Sequence, residues 1–393
     1  MRWYASRSEV VVIGLARCVL PVLAVSAAFG ESVCDVFSRS DARTDVPGAV
    51  SVVVAADGRE DVRCCGFADI ATGRRMSPDT LFWIASNTKA MAAAVMLTLV
   101  DEGAVGLDDS VDRYLPEFKC LQVEDAQSPG GVRLAKACPT VRQLLSHTSG
   151  LKFFPEMPID RWPVRLLASK AARMPQRADP GTRYCYSNWG IDVAMAVAEV
   201  VTGTTWEQLL KNRILVPLGM TDTTFFPTDA QTARLASSYR VADGQPLQAM
   251  TVDQLQYPYS LHSRYPEAGG GLFSTAHDVA AFYRMIARNG LAPDGRRILS
   301  ERMVAEWAKS QTPASAGVSY SFGLKVNGSR LGHGGAYGTF AEADRATGGV
   351  RVYLTQVHGG TGNAVTKRRF ADWQKATAGE ERKTEGLGTP KLQ

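Results

Sequence analysis

From Ser86 to Gly103 the chain reads SNTKAMAAAVMLTLVDEG, with Ala, Met and Leu recurring at helical spacing. A helix this apolar has no polar face to turn to water, so the remaining chain has to wrap it. The wrapping segments are of two kinds. PGAVSVVVAADGREDVRCCGFADI, from Pro47, reads as two Val-rich strands joined at Asp57-Gly58. YSFGLKVNGSRLGHGGAYGTFAEADRATGGVRVYLTQVH, ending at His358, holds three strand-like segments separated by glycine pairs. Between them lie the helical runs IDVAMAVAEVV, WEQLLKNRIL and AHDVAAFYRMIARNG, set in loops rich in Pro, Gly and Thr. Strands at both ends imply one sheet closed by the two termini, drawn from about 45–85 and 290–360, with a helical region inserted. With 393 residues, 45% of them apolar, the chain can bury such a core without metal or disulfide staples.

Three short motifs carry chemistry. Ser86-Asn87-Thr88-Lys89 opens the apolar helix, where residues i and i+3 share a face and the ammonium reaches the hydroxyl. The helix start also aims free N–H groups at an anion forming there. A serine needs a neighbour to take its proton, and lysine can do so once burial lowers its pKa. A second Ser-x-x-Lys, Ser149 to Lys152, contains a glycine and lies between turn residues, so no helix enforces its geometry. Tyr186-Ser187-Asn188 sits in a glycine-bounded loop. Its phenol offers a proton shuttle and its amide a substrate contact, although taken alone the motif reads more readily as a turn with a packed tyrosine. His333-Gly334-Gly335-Ala336 lies on an expected strand, where paired glycines admit a ligand or a second backbone, although viewed alone it reads as a glycine-rich bend with an exposed histidine. A backbone N–H there, with that of Ser86, suits an oxyanion hole.

Taken together and in this order, the three motifs resemble those of the β-lactamase-related serine hydrolases, particularly class C-like enzymes, D,D-peptidases and family VIII esterases. DTLFWIASNTKA, TVRQLLSHTSGL (140–151), ILVPLGMTDTTF (214–225) and AGGGLFSTAHDVAAF (268–282) are similar to that family's recurring phrases. The resemblance spans roughly residues 45–360. It implies an α/β (α+β) fold of the β-lactamase/transpeptidase type, a five-stranded antiparallel sheet flanked by helices beside an all-helical region. It also implies that Ser86 is acylated, that Lys89 and Tyr186 move protons, and that Asn188 orients substrate. By the same likeness the N–H groups of Ser86 and Ala336, beside His333, Gly334 and Gly335, hold the oxyanion. His333 stands where many relatives carry a lysine that pairs with a substrate carboxylate. A mostly neutral histidine does this weakly.

The expected function is therefore hydrolysis of a small ester or amide through a Ser86 acyl-enzyme. The alternatives are a D,D-peptidase or weak class C-like β-lactamase acting on the cell wall, and a non-catalytic penicillin-binding sensor. His147, inside SHTSG, is a rival general base, but the likeness makes that segment a structural turn. No Gly-x-Ser-x-Gly elbow occurs, which argues against an α/β-hydrolase. The glutamate-bearing loop of class A β-lactamases is not evident. Trp83 and Trp189 flank two motifs and are read as core.

The termini carry separate expectations. Arg2, Arg7 and Arg17 precede CVLPVLAVSAAFG and the small residues Val25-Ser26-Ala27, which together read as a secretory signal peptide over 1–27. Arg17 interrupts the apolar stretch, so no membrane span is expected. The enzyme domain is expected over 28–376, exported to the periplasm or medium, with a polar tail over 377–393. Six cysteines follow the signal. Cys120 and Cys138 bracket an expected hairpin around Ser-Pro-Gly-Gly and form the preferred bridge, whereas the adjacent Cys64 and Cys65 face opposite sides of a strand. No Cys/His spacing suggests zinc, and no cofactor is expected. The net charge of +5 is scattered, with no basic stripe for nucleic acid. The expected partner is a small ester, amide or peptide substrate, and the oligomeric state stays open.

Overall fold

The computed structural model describes residues 45–153, 163–241, 245–252, 255, 259, 265–358 and 364–378. Strands β1 (Gly48–Val54) and β2 (Glu60–Asp69) form a hairpin through Asp57-Gly58, with Val52 opposite Val62. β3 (Arg74–Arg75) borders β2. The C-terminal segment supplies β4 (Lys325–Asn327), β5 (Arg330–Gly334), β6 (Phe340–Asp344) and β7 (Val350–Leu354) to this sheet, and a further short strand, Val357–His358, to a separate one, where its glycine spacing suggested three strands in all. They assemble as one antiparallel sheet in the order β4-β5-β6-β7-β1-β2-β3. The five longer strands form the expected sheet. The two- and three-residue edge strands extend it to seven, and such short edges limit pairing with other chains. All seven lie within 48–75 and 325–354, so residues 290–320 contribute none. That stretch includes a helix at Glu301–Trp307.

β1 is buried on both faces, and its two-residue period assigns each face a partner. Val50, Val52 and Val54 enter the main core. Ala49 joins a smaller cluster with Cys65, Tyr353 and Trp373, and Ser51 Oγ accepts the Trp373 indole N–H at 2.8 Å.

The helices explain the rest of the burial. In α1 (Thr88–Asp101) every residue from Thr88 to Leu99 is buried, as the all-round apolar pattern requires. α2 (Asn188–Thr202) packs against it, and α3 (Ala276–Ala287) lies on β6, β7 and β1. α4 (Ala364–Ala378) covers the opposite sheet face through Trp373 and is a helix that was not among the helical runs read from sequence. It runs two residues into the expected tail, where Thr377 is buried and its hydroxyl accepts from Arg351. No described helix is long and apolar enough to cross a membrane.

The expected hairpin is present, with Gln122–Glu124 paired to Val132–Leu134, but the bridge drawn from it is not. Cys120 and Cys138 are free thiols, and Cys138 Sγ donates to the Phe118 carbonyl at 2.8 Å. Cys120 ends a 3-10 turn and Cys138 lies four residues beyond the second strand, so the ladder does not set them opposite each other. Cys65 is the disulfide-bonded cysteine among the described residues. The segments read as signal peptide and distal tail lie outside the described residues.

Candidate active site

The chain enters the site through a strained turn. Ala85 takes a left-handed φ of 46°, which costs a non-glycine residue about 1–3 kcal/mol unless its surroundings enforce it. Three side-chain bonds do so. Thr88 Oγ1 donates to the Ala85 carbonyl (2.7 Å), Thr339 Oγ1 to the Ile84 carbonyl (3.0 Å), and Asn87 Nδ2 to Thr339 Oγ1 (3.1 Å). Ser86 therefore sits in a 3-10 turn, Ala85–Asn87, and the regular helix starts two residues later than expected, at Thr88. The turn still keeps Ser86 and Lys89 together.

Lys89 Nζ lies 3.0 Å from Ser86 Oγ, and Tyr186 Oη donates to the same oxygen at 3.0 Å. Lys89 Nζ also donates to the Gly269 carbonyl and lies 4.8 Å from the centre of the Tyr186 ring. Burial pushes the Lys89 pKa down to about 7, against the opposing charges of Glu267 and Asp192. Burial moves Tyr186 the other way, well above the ordinary phenol range, more than its bond to Ser86 offsets. Near neutral pH the lysine is thus the group that can release its proton, and the phenol keeps its own.

Asn188 is the first residue of α2 rather than part of a loop, placed there by the Ser187 cap, whose Oγ accepts the Gly190 N–H at 3.0 Å. Its amide nitrogen donates to Glu267 Oε1 at 2.6 Å, and its Oδ1 has no hydrogen-bond partner among the described residues. A carboxylate can only accept, so the amide orientation is set and Oδ1 is the atom left for a further donor.

His333 and Gly334 end β5, and Gly335-Ala336 turn toward Ser86. A Cβ on Gly335 would fall 2.1 Å from Thr339 Oγ1 and 2.7 Å from the Ile84 carbonyl, so only glycine allows this approach. Among the described residues no backbone acceptor takes the Ala336 N–H, and the Ser86 N–H belongs to a first helical turn, which has no internal acceptor. His333 is buried, and burial, then the nearby Lys89, pushes its pKa down to about 3. The ring is neutral at any physiological pH, and both nitrogens are engaged, Nδ1 with the Gly334 carbonyl (2.6 Å) and Nε2 with Tyr320 Oη (3.0 Å).

A match to the β-lactamase family model runs over residues 34–372. The chain belongs to the β-lactamase family. Similar proteins are an uncharacterized protein of Mycobacterium tuberculosis, 32% identical over 79% of this chain and 85% of its own, and esterase EstB of Burkholderia gladioli, 30% identical over 81% and 88%. Penicillin-binding protein 4 of Amycolatopsis lactamdurans is 30% identical over 66% of this chain and 64% of its own. Among solved structures, EstCE1, a hydrolase with promiscuous acyltransferase activity, superposes with a TM-score of 0.71 at 23% identity, covering 88% of this chain and 97% of that one. A penicillin-binding protein homologue from Caulobacter crescentus gives 0.68 at 24% identity, covering 88% and 96%. These place the chain in the fold of β-lactamase-type serine hydrolases with esterase and penicillin-binding members.

For this family member, the three motifs read from sequence converge, and the rival Ser149–Lys152 pair does not. Lys152 pairs with Glu124 at 2.6 Å, and Ser149 is buried with its Oγ accepting the Leu151 N–H. His147 is within reach of the site, its ring centre 4.4 Å from that of Tyr186, but both nitrogens are occupied, by the Ser187 N–H and by Tyr320 Oη. Trp83 and Trp189 are core residues, as read. Trp83 donates to the Gly270 carbonyl at 2.5 Å. The sequence reading missed Glu267, Asp192, Thr339 and Tyr320. None stands in a distinctive spacing, and only the glycine run beginning at Gly269 hinted that a backbone passes close to the lysine.

Proposed function

We propose that this protein hydrolyses small, uncharged carboxylic esters through an acyl-enzyme on Ser86. The observation that carries the reading is the convergence of Lys89 Nζ and Tyr186 Oη on Ser86 Oγ, each at 3.0 Å. Neutral Lys89 takes the Ser86 proton as Oγ bonds to the ester carbonyl carbon, and the carbonyl oxygen becomes an oxyanion held by the Ser86 and Ala336 N–H groups. When the ester C–O bond breaks, the leaving oxygen takes a proton from Tyr186, which is refilled from the Lys89 ammonium. Water repeats the sequence in reverse to free Ser86. Tyr186 thus serves as a neutral donor rather than a phenolate base, because burial disfavours its ionised form.

The neutrality of His333 supports esters over β-lactams and D-Ala-terminated peptides. Both of those carry a carboxylate, and a ring with its nitrogens already engaged offers that group neither charge nor a free N–H. Turnover of p-nitrophenyl butyrate, nitrocefin and a D-Ala-D-Ala peptide tests this directly. Fast ester turnover with an acyl adduct on the Ser86 peptide supports the reading. An adduct on Ser149, or nitrocefin as the preferred substrate, overturns it. We further propose export, from the signal-like N-terminus and from the disulfide at Cys65, a bond that oxidising compartments favour. N-terminal sequencing of the mature protein checks it.

A further inference from the structure

Two histidines and a tyrosine form a chain of hydrogen bonds that joins the two walls of the site. The Ser187 N–H points at His147 Nδ1 (3.2 Å), His147 Nε2 meets Tyr320 Oη (3.2 Å), Tyr320 Oη meets His333 Nε2 (3.0 Å), and His333 Nδ1 meets the Gly334 carbonyl (2.6 Å). Its two ends determine every proton between them. A backbone N–H only donates, so His147 Nδ1 is bare and its Nε2 carries the hydrogen. A carbonyl only accepts, so His333 Nδ1 carries the hydrogen and its Nε2 is bare. The tyrosine hydroxyl then accepts from His147 and donates to His333. An extra proton on His147 would set its Nδ1–H against the Ser187 N–H, and one on His333 Nε2 would turn the Tyr320 hydroxyl hydrogen away from its acceptor; burial pushes both rings toward the neutral form.

We propose that Tyr320 is a positioning residue, which locks His147 and His333 in opposite neutral tautomers and so ties the Tyr186–Asn188 segment to the His333–Ala336 turn. His333 on this reading does not bind substrate. Its role is to hold the Gly334–Ala336 backbone at the distance from Ser86 that the oxyanion requires. His147 belongs to the same device. Its left-handed φ of 61° is among the few such values at non-glycine residues in the described chain, and it turns the ring into a buried cluster with Tyr184, Tyr186 and Tyr320. Tyr320 is fully buried between the two rings, where a hydroxyl without partners would be costly.

The test has two arms, of which only the second rests on the proposed ester hydrolysis. The chain has five histidines, few enough for their side-chain ¹⁵N resonances to be assigned. In the wild-type protein at neutral pH one buried histidine is expected with its hydrogen on Nε2 and another with its hydrogen on Nδ1. Both in the same tautomer, or either protonated, overturns the proposal whatever the enzyme's activity. Tyr320→Phe keeps the ring and removes only the hydroxyl. It is expected to disturb the His333 pattern and to lower kcat by roughly tenfold to a hundredfold with KM little changed, as a displacement near 1 Å does. Wild-type kcat with unaltered imidazole shifts in that variant also overturns it. If Tyr320→Phe melts before assay, the wild-type tautomers still decide.

Discussion

Lys89 Nζ lies 3.0 Å from Ser86 Oγ, and Lys89 is 0% exposed. A charge so placed has no water to solvate it, which is why the ammonium is poised to lose its proton near neutrality rather than near the ordinary lysine value of 10.5. The same burial costs stability. Because the folded-state pKa is depressed, the unfolded chain binds the additional proton between about 7 and 10.5, and this group's contribution rises with pH across that window.

The first prediction follows from that pKa. kcat/KM for a neutral ester rises with pH through about 7 and then levels, as Lys89 becomes the free base. Lys89→Arg, which keeps its charge at every accessible pH, loses this limb together with most of the activity. A pH–rate profile between pH 5.5 and 9 reads both effects, and a flat wild-type profile removes Lys89 as the base.

Tyr186→Phe preserves the ring against His147 and Phe153 and deletes the proton donor. A loss of about 10²–10⁴-fold in kcat with nearly constant KM is expected for a proton-transfer group. Steady-state kinetics with p-nitrophenyl butyrate measure it. An unchanged kcat assigns the leaving-group proton to another donor.

His333→Lys places a cation where the neutral ring now lies. The expected result is a lower absolute ester rate, because the hydrogen bonds to Tyr320 and Gly334 are lost, but a higher ratio of nitrocefin to ester kcat/KM. Competition between the two substrates gives the ratio. A ratio that falls or stays constant argues that carboxylate recognition lies elsewhere.

Cys65→Ser is expected to lower stability by about 2–5 kcal/mol, the usual loss with a native disulfide, and reductant should reproduce the shift in the wild type. Cys120→Ser, at an exposed free thiol, should leave Tm unchanged. Thermal melts with and without reductant separate the two, and equal shifts would falsify the assignment of Cys120 as unbridged.

The legible parts of this protein were those with a local cause. An apolar helix behind Ser86, Val-rich strands at either end of the domain and three motifs in a fixed order depend on residues close in sequence, and each was readable there. Helix α4 was not, because Trp373 and Thr377 acquire their partners, Ser51 and Arg351, only across the sheet. The Cys120–Cys138 expectation failed for a related reason. A hairpin aligns the residues within its ladder, and these two lie beyond its ends.

The order of three short motifs and their likeness to a known family thus singled out the hydroxyl, amine and phenol proposed to serve a serine hydrolase. Tertiary structure alone decided their electrostatics. Whether Lys89 is charged depends on its burial and on Glu267 and Asp192, and whether His333 can meet a carboxylate depends on Tyr320 and Gly334. A proton's energy is set by everything within a few ångströms, and those neighbours come from segments that only folding brings together.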